Sequence, residues 1–159
     1  MALMMGGKGY QVSLWTVEED VAEAILSRRE NPRYLPGMRL PTQVEVSMDL
    51  AEAVKGIKAV ILALPSHVVR EVMKRLSPLL SSGALIIDFA KGLEVETEMR
   101  MSEVIESELP PGGGIGVVAV SGPSIAWEMA QGKLTAVEVA SKDQEMTLRA
   151  KEILETSSF

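Results

Sequence analysis

The chain has 159 residues, about one domain's worth, which leaves room for a single compact core and not for a multidomain enzyme. With 47% hydrophobic and 24% charged residues and a mean hydropathy of +0.16, its composition is globular and excludes a disordered or fibrous chain. Zero cysteines exclude disulfides, thiolate metal sites and a cysteine nucleophile, a single histidine speaks against a histidine metal cluster, and a net charge of −6 with pI near 4.9 speaks against nucleic-acid or anionic-membrane partners.

The start, Met1 to Met5, is apolar for too few residues to be a signal segment, and Gly6-Gly7-Lys8-Gly9 reads as a helix ending followed by a turn. A strand is predicted over 10–15 and a helix over 18–29. Residues 31–42, with Pro32, Pro36, Gly37 and Pro41, read as a loop that cannot be a regular helix. There follow a strand over 43–47, a helix over 50–55, and a strand over 58–64. This last run is continuously apolar and reads as a central strand covered on both faces, as does 117–120. It is too short for a membrane span, which needs roughly 20 apolar residues.

The next predicted helix, 67–80, carries Val68, Val69, Val72, Met73, Leu76 and Leu80 on one stripe and Arg70, Glu71, Lys74 and Arg75 outside it. Ser66 is placed to cap it, and Pro78 marks its exit. A strand over 84–88, a helix over 98–109, and the connector Pro110-Pro111-Gly112-Gly113-Gly114 lead to a strand over 116–121. A helix over 125–131, a strand over 134–140 and a helix over 142–155 complete the chain, the last opened by a capping-box spacing from Ser141 to Gln144. Strands alternating with helices point to an α/β, doubly wound, mainly parallel sheet.

The glycine fingerprint G-x-G-x-x-G, set after a strand and opening a helix, does not occur; the runs at 6–9 and 112–116 both precede a strand. Local pattern alone therefore does not support cofactor binding. In open α/β sheets ligands gather at the carboxyl ends of the strands, and four segments fall there: Thr16 to Asp20, Pro65-Ser66-His67, Asp88 to Gly92, and Ser121 to Ser124. Lys91, beside flexible Gly92, can bring a point charge to a phosphate or a carbonyl oxygen, or can be a solvated loop lysine. Gly122-Pro123-Ser124 is either a small anion site or a plain turn and cap. Glu18-Glu19-Asp20 is either a favourable acidic first turn or a source of a ribose-binding carboxylate. His67 reads as a first-turn helix residue, with no nucleophile or acid beside it. The ten methionines read as core filler.

Several stretches in register resemble one family. They are Val12-Ser13-Leu14-Trp15, Arg29 to Gly37, Leu64-Pro65-Ser66-His67, Ala90-Lys91-Gly92-Leu93-Glu94, Met101 to Ile105, and Ser121-Gly122-Pro123-Ser124-Ile125-Ala126. In them the chain is similar to the nucleotide-binding half of NAD(P)-dependent glycerol-3-phosphate dehydrogenase. The resemblance implies a Rossmann-like fold and the reversible reduction of dihydroxyacetone phosphate to sn-glycerol 3-phosphate by hydride transfer from NADH or NADPH. It implies that Lys91 contacts cofactor and substrate, that Gly122 and Ser124 meet the substrate, and that Val17, Glu18, Pro65 and Ala126 line the cofactor. It also implies a cytoplasmic enzyme, homodimeric in the intact parent, and no metal.

Relatives of this kind open with a first strand and a glycine-rich fingerprint and continue into a helical substrate domain that carries a proton-transferring lysine. By that resemblance residues 1–159 are a partial dinucleotide-binding domain, incomplete at the N-terminus. The lysine would lie beyond Phe159, so no catalytic residue is named within the chain, and the piece alone is expected to be inactive and either poorly stable or self-associating through open strand edges. Trp15 to Asp20 is similar to NAD-preferring relatives in lacking a basic residue after the strand, so a lean toward NAD is expected. The alternatives are a non-catalytic binding module, one form of which is a phospho-acceptor domain using Asp88, and an inactive remnant.

Overall fold

The computed structural model describes residues 1–159. Its elements in chain order are α1 (Ala2–Gly7), β1 (Val12–Trp15), α2 (Glu19–Arg28), β2 (Glu30–Asn31), β3 (Leu35–Arg39), β4 (Val44–Ser47), α3 (Leu50–Ala53), β5 (Ala59–Leu62), α4 (Val69–Leu76), β6 (Leu85–Asp88), α5 (Met101–Ser107), β7 (Gly116–Ser121), α6 (Ala126–Ala130), β8 (Glu138–Ala140) and α7 (Gln144–Leu154). Tight 3-10 turns at Ser66–Val68 and Ser77–Leu79 flank α4. Two units pack separately: residues 1–55, 124–135 and 156–159 form one, and residues 56–123 and 136–155 the other.

In the first unit β1 and β4 pair in parallel, with Val12 opposite Val44 and Trp15 opposite Ser47. Val21, Ile25, Leu40 and Val44 form its core, with Val12, Leu14 and Val46 packed against them. Helix α2 starts on Glu19 and Asp20, which suit the positive end of the helix dipole, and stops where Arg29 turns left-handed at φ 59°. The Arg29 guanidinium then donates to the Pro41 carbonyl. The stretch read from sequence as a bare loop holds a small antiparallel pair, β2 with β3. Asn31 Oδ1 accepts from Tyr34 N at 3.1 Å and Glu30 Oε1 accepts from Gly37 N at 2.7 Å, so side chains supply the turn bonds. Pro36 is tolerated because a two-stranded ribbon leaves one edge unpaired.

In the second unit the strand order is β5-β6-β7-β8. The first three strands are parallel, whereas β8 runs antiparallel to β7, with Ala119 opposite Ala140 and Ser121 opposite Glu138. The sheet is thus mainly parallel, as expected, with one reversed edge strand. That strand starts at Glu138 rather than at residue 134, because Leu134 stands 88% exposed and Thr135 N donates to Ser158 O instead of to a ladder. The core is Val69, Met73, Leu76, Leu85, Ile86, Ile87, Val104, Ile105 and Val118, all essentially inaccessible.

Three local expectations are corrected. Strand β5 is not central: it pairs with β6 alone and three of its four residues are only half-buried, while all of β6 is buried. Ser66 does not cap α4, since a 3-10 turn entered from Pro65 precedes the helix. Asp143, not Ser141, caps α7, accepting from Glu145 N at 2.8 Å, while Ser141 Oγ donates to Val117 O across the sheet. No helix is long and apolar enough to cross a membrane.

Candidate functional site

Register alone aligns the carboxyl edge of the second unit. Leu62, Asp88 and Ala119 lie side by side on β5, β6 and β7, and Pro65, Lys91 and Gly122 each follow three residues beyond that row. Lys91 Nζ donates to the Gly122 carbonyl at 2.8 Å, which closes the gap between the ends of β6 and β7. An ammonium has three donors, and the one used on Gly122 sets the direction of the group. Gly122 has φ +139°, and a Cβ there would meet the Ala136 carbonyl oxygen at 2.9 Å and the Val137 Cα at 3.0 Å. Only glycine therefore fits behind the oxygen that Lys91 holds.

Asp88 ends β6 at 2% exposure, and its Oδ1 accepts from Ala90 N at 2.9 Å, which turns the chain toward Lys91. Burial pushes its carboxyl up to about 6, the Ala90 N–H pulling weakly the other way. A phosphoryl acceptor must present an oxygen to solvent, and this one is enclosed, so the phospho-acceptor alternative loses its nucleophile. No cluster of three or more His, Cys, Asp or Glu side chains is placed to hold a metal ion.

Beyond Lys91 the chain makes a small loop that sequence reasoning missed. Gly92 adopts φ +106°, Leu93 bridges to Arg100, Glu94 N donates to Met99 O at 2.9 Å, and Glu98 N donates to Glu94 O at 2.8 Å. Arg70 of α4 grips Glu94 with a two-pronged pair, Nε to Oε1 and Nη2 to Oε2, both 2.7 Å. Its third nitrogen, Nη1, donates to Ser107 Oγ at 3.1 Å and to Glu108 Oε1 at the end of α5. Thr97 Oγ1 also donates to Glu94. The guanidinium holds the Glu94 carboxyl down at about 2, and the two carboxylates raise the arginine's own pKa. The only sequence signal was that Arg70 borders the apolar stripe of α4.

At the end of β1, in the first unit, Trp15 Nε1 donates to Met48 O at 3.1 Å and Val17 stands 67% exposed. Glu18 immediately precedes α2, but its carboxylate is engaged: Oε1 accepts from Tyr34 Oη at 2.7 Å and pairs with Arg33 Nη1 at 2.8 Å. That bond raises the Tyr34 pKa. Arg33 also lies 3.5 Å from Asp20. So a cation does stand near the end of β1, supplied by the β2–β3 turn rather than by the residues directly after the strand. Ser124 opens the segment that packs with this unit, and Ala126 is the exposed first residue of α6. The structure thus brings Pro65, Lys91 and Gly122 to one edge of the second unit, while Val17, Glu18, Ser124 and Ala126 belong to the first.

A mainly parallel sheet with helices in its crossovers and polar groups gathered at the carboxyl ends of its strands is the arrangement of a Rossmann-like domain. Residues 1–147 match the family described as NAD-dependent glycerol-3-phosphate dehydrogenase N-terminus, and the chain belongs to that family. It is 36% identical to the NAD(P)+ glycerol-3-phosphate dehydrogenase of Clostridium tetani over 159 residues, all of this chain and 45% of that protein. It is 39% identical over 160 residues to the Moorella thermoacetica enzyme of the same name, 46% of which it covers. The crystal structure of glycerol-3-phosphate dehydrogenase from Coxiella burnetii superposes with a TM-score of 0.91 at 31% identity, over 99% of this chain and 47% of that one. The chain spans about half the length of the relatives it matches.

Proposed function

We propose that the chain is the nucleotide-binding part of an NAD(P)-dependent glycerol-3-phosphate dehydrogenase, which reduces dihydroxyacetone phosphate reversibly to sn-glycerol 3-phosphate. The observation that carries this reading is the Lys91 ammonium held on the Gly122 carbonyl at the carboxyl edge of β6 and β7. The donor set fits a phosphorylated ketone and a dinucleotide: a cation for phosphate or carbonyl oxygen, a tight glycine turn with a serine hydroxyl close by in sequence, and a carboxylate beside β1 for ribose hydroxyls. When bound, the nicotinamide supplies the hydride.

Lys91 touches both ligands in this reading and opposes negative charge gathering on the carbonyl oxygen. Gly122 and Ser124 receive the substrate, and Pro65, Val17, Glu18 and Ala126 line the cofactor. In this reading residues 1–159 supply the dinucleotide-binding part, and the proton-transferring lysine belongs to the helical substrate domain of such an enzyme. The cofactor leans toward NAD, because Glu18, Glu19 and Asp20 outnumber Arg33 where a 2′-phosphate would sit. The parent enzyme is a cytoplasmic homodimer in this reading.

The test is steady-state reduction of dihydroxyacetone phosphate by the intact enzyme carrying this sequence. Lys91→Met should lower kcat/KM by about 100-fold or more. Unchanged kcat/KM would remove Lys91 from the site. A strong NADPH preference would overturn the NAD lean alone.

A further inference from the structure

The Gly122 carbonyl directs the Lys91 ammonium, but the backbone that carries the side chain must be placed as well. The residue lies on a short segment whose first end is fixed by strand β6, through Asp88 and its bond to Ala90 N. Between Lys91 and the second end comes exposed Gly92, at φ +106° and with open space where a Cβ would stand. The second end is Glu94, and there the Arg70 guanidinium supplies the restraint, with two parallel 2.7 Å bonds to one carboxylate. Such a fork fixes orientation as well as distance, which a single point charge does not do. The same guanidinium is fastened to Ser107 and Glu108 behind it, so it is held from two helices. The pair is largely enclosed, Arg70 at 25% and Glu94 at 16% side-chain exposure.

We propose that Arg70 and Glu94 are positioning residues for Lys91: their bidentate pair fixes the far end of the Lys91 segment and so sets where the ammonium stands at the strand edge. This rests on Lys91 serving the reaction. Neither residue touches ligand; the effect passes through the Gly92 hinge. A displacement of about 1 Å at a reacting group is enough to cost up to 100-fold in rate.

The experiment is a double-mutant cycle in the intact enzyme, with Arg70→Lys and Glu94→Gln each combined with Lys91→Met. Arg70→Lys keeps the charge but loses the fork. Each single change should lower kcat/KM about tenfold, mainly in kcat, and change it less than twofold when Lys91 is already methionine. Arg100→Lys, which disturbs an exposed pair with Glu103 on the same loop and helix, should leave kcat/KM within twofold in both backgrounds. Where Lys91→Met turns over too slowly, the same cycle is read in the dissociation constant of NADH, and if Arg70→Lys does not fold, Glu94→Gln carries the cycle alone. Equal losses with and without Lys91 would overturn the positioning role and leave only a structural one. If Lys91→Met itself changes nothing, the fault lies in the functional reading and not in the clamp.

Discussion

The two larger sheets are built from different strands and end up differently: β4 reads Val44-Glu45-Val46-Ser47, whereas β6 reads Leu85-Ile86-Ile87-Asp88. Val12–Trp15 and Val44–Ser47 pair only with each other, and of their eight residues only Val44 is fully buried. Leu85–Asp88 has a partner on both sides and no accessible residue. Pairing on both edges and cover on both faces, together with a continuous apolar run, make a strand central, and a two-stranded sheet is marginal by itself. The stability of the chain is therefore concentrated in the second unit.

Truncation of Ile86 to alanine is the largest way to sharpen that contrast. It should cost about 2 to 5 kcal/mol in urea unfolding, against about 1 kcal/mol for Val46→Ala in the half-buried strand β4. In hydrogen exchange the amides of Val12–Trp15 should open well before those of Leu85–Asp88; equal protection would abolish the distinction.

Acid titration comes next in size, because carboxylates of the second unit pull in opposite directions: burial raises Asp88, whereas arginine partners lower Glu94 and Glu103. Asp88, near 6 when folded and near 3.9 when unfolded, binds more protons in the native state, so stability falls as pH rises from about 4 to about 6. Asp88→Asn should remove a drop of about 2 to 3 kcal/mol across that window. Glu94, near 2 when folded, contributes stability above its unfolded pKa of about 4.3, and that contribution fades as pH falls toward 2. Glu94→Gln should reduce only this lower limb and not abolish it, because Glu103, held down to about 2 by Arg100, contributes there as well. The urea midpoint followed from pH 2 to 8 separates them.

Glycine replacements give a smaller contrast. A Cβ at Gly116 would meet Met146 Sδ at 2.5 Å and Leu85 Cδ1 at 3.2 Å, so Gly116→Ala should cost about 1 to 3 kcal/mol. Gly7, at the open end of α1, has empty space around it, and Gly7→Ala should be neutral or stabilising by up to about 1 kcal/mol. The smallest effect belongs to Arg33→Ala: with its side chain 53% exposed, its pair with Glu18 should change the midpoint by less than about 1 kcal/mol.

The elements most legible in the sequence were those set by local apolar rhythm. Strand β7 was predicted at its observed bounds, and Val69, Val72, Met73 and Leu76 of the α4 stripe are buried as expected. Less legible was whatever depends on distant partners. The centrality of β5, the reversal of β8 and the β2–β3 ribbon follow from which strand lies alongside, and no periodicity encodes that. At the site, the approach of Lys91 to Gly122 followed from the strand ends, since both residues lie three positions beyond the paired row of Asp88 and Ala119. The Arg70 fork on Glu94 joins residues 24 apart, and the engagement of Glu18 by Tyr34 joins residues 16 apart. Side-chain pairs of that kind leave no trace in spacing.

The crowding behind Gly122 has a consequence for how the strand edge can change. With the backbone of Ala136 and Val137 standing as a wall where a Cβ would go, any bulk gained at this position has to displace the segment that leads into β8. The bare α-carbon can therefore drift in sequence only if the two residues ahead of strand β8 retreat first.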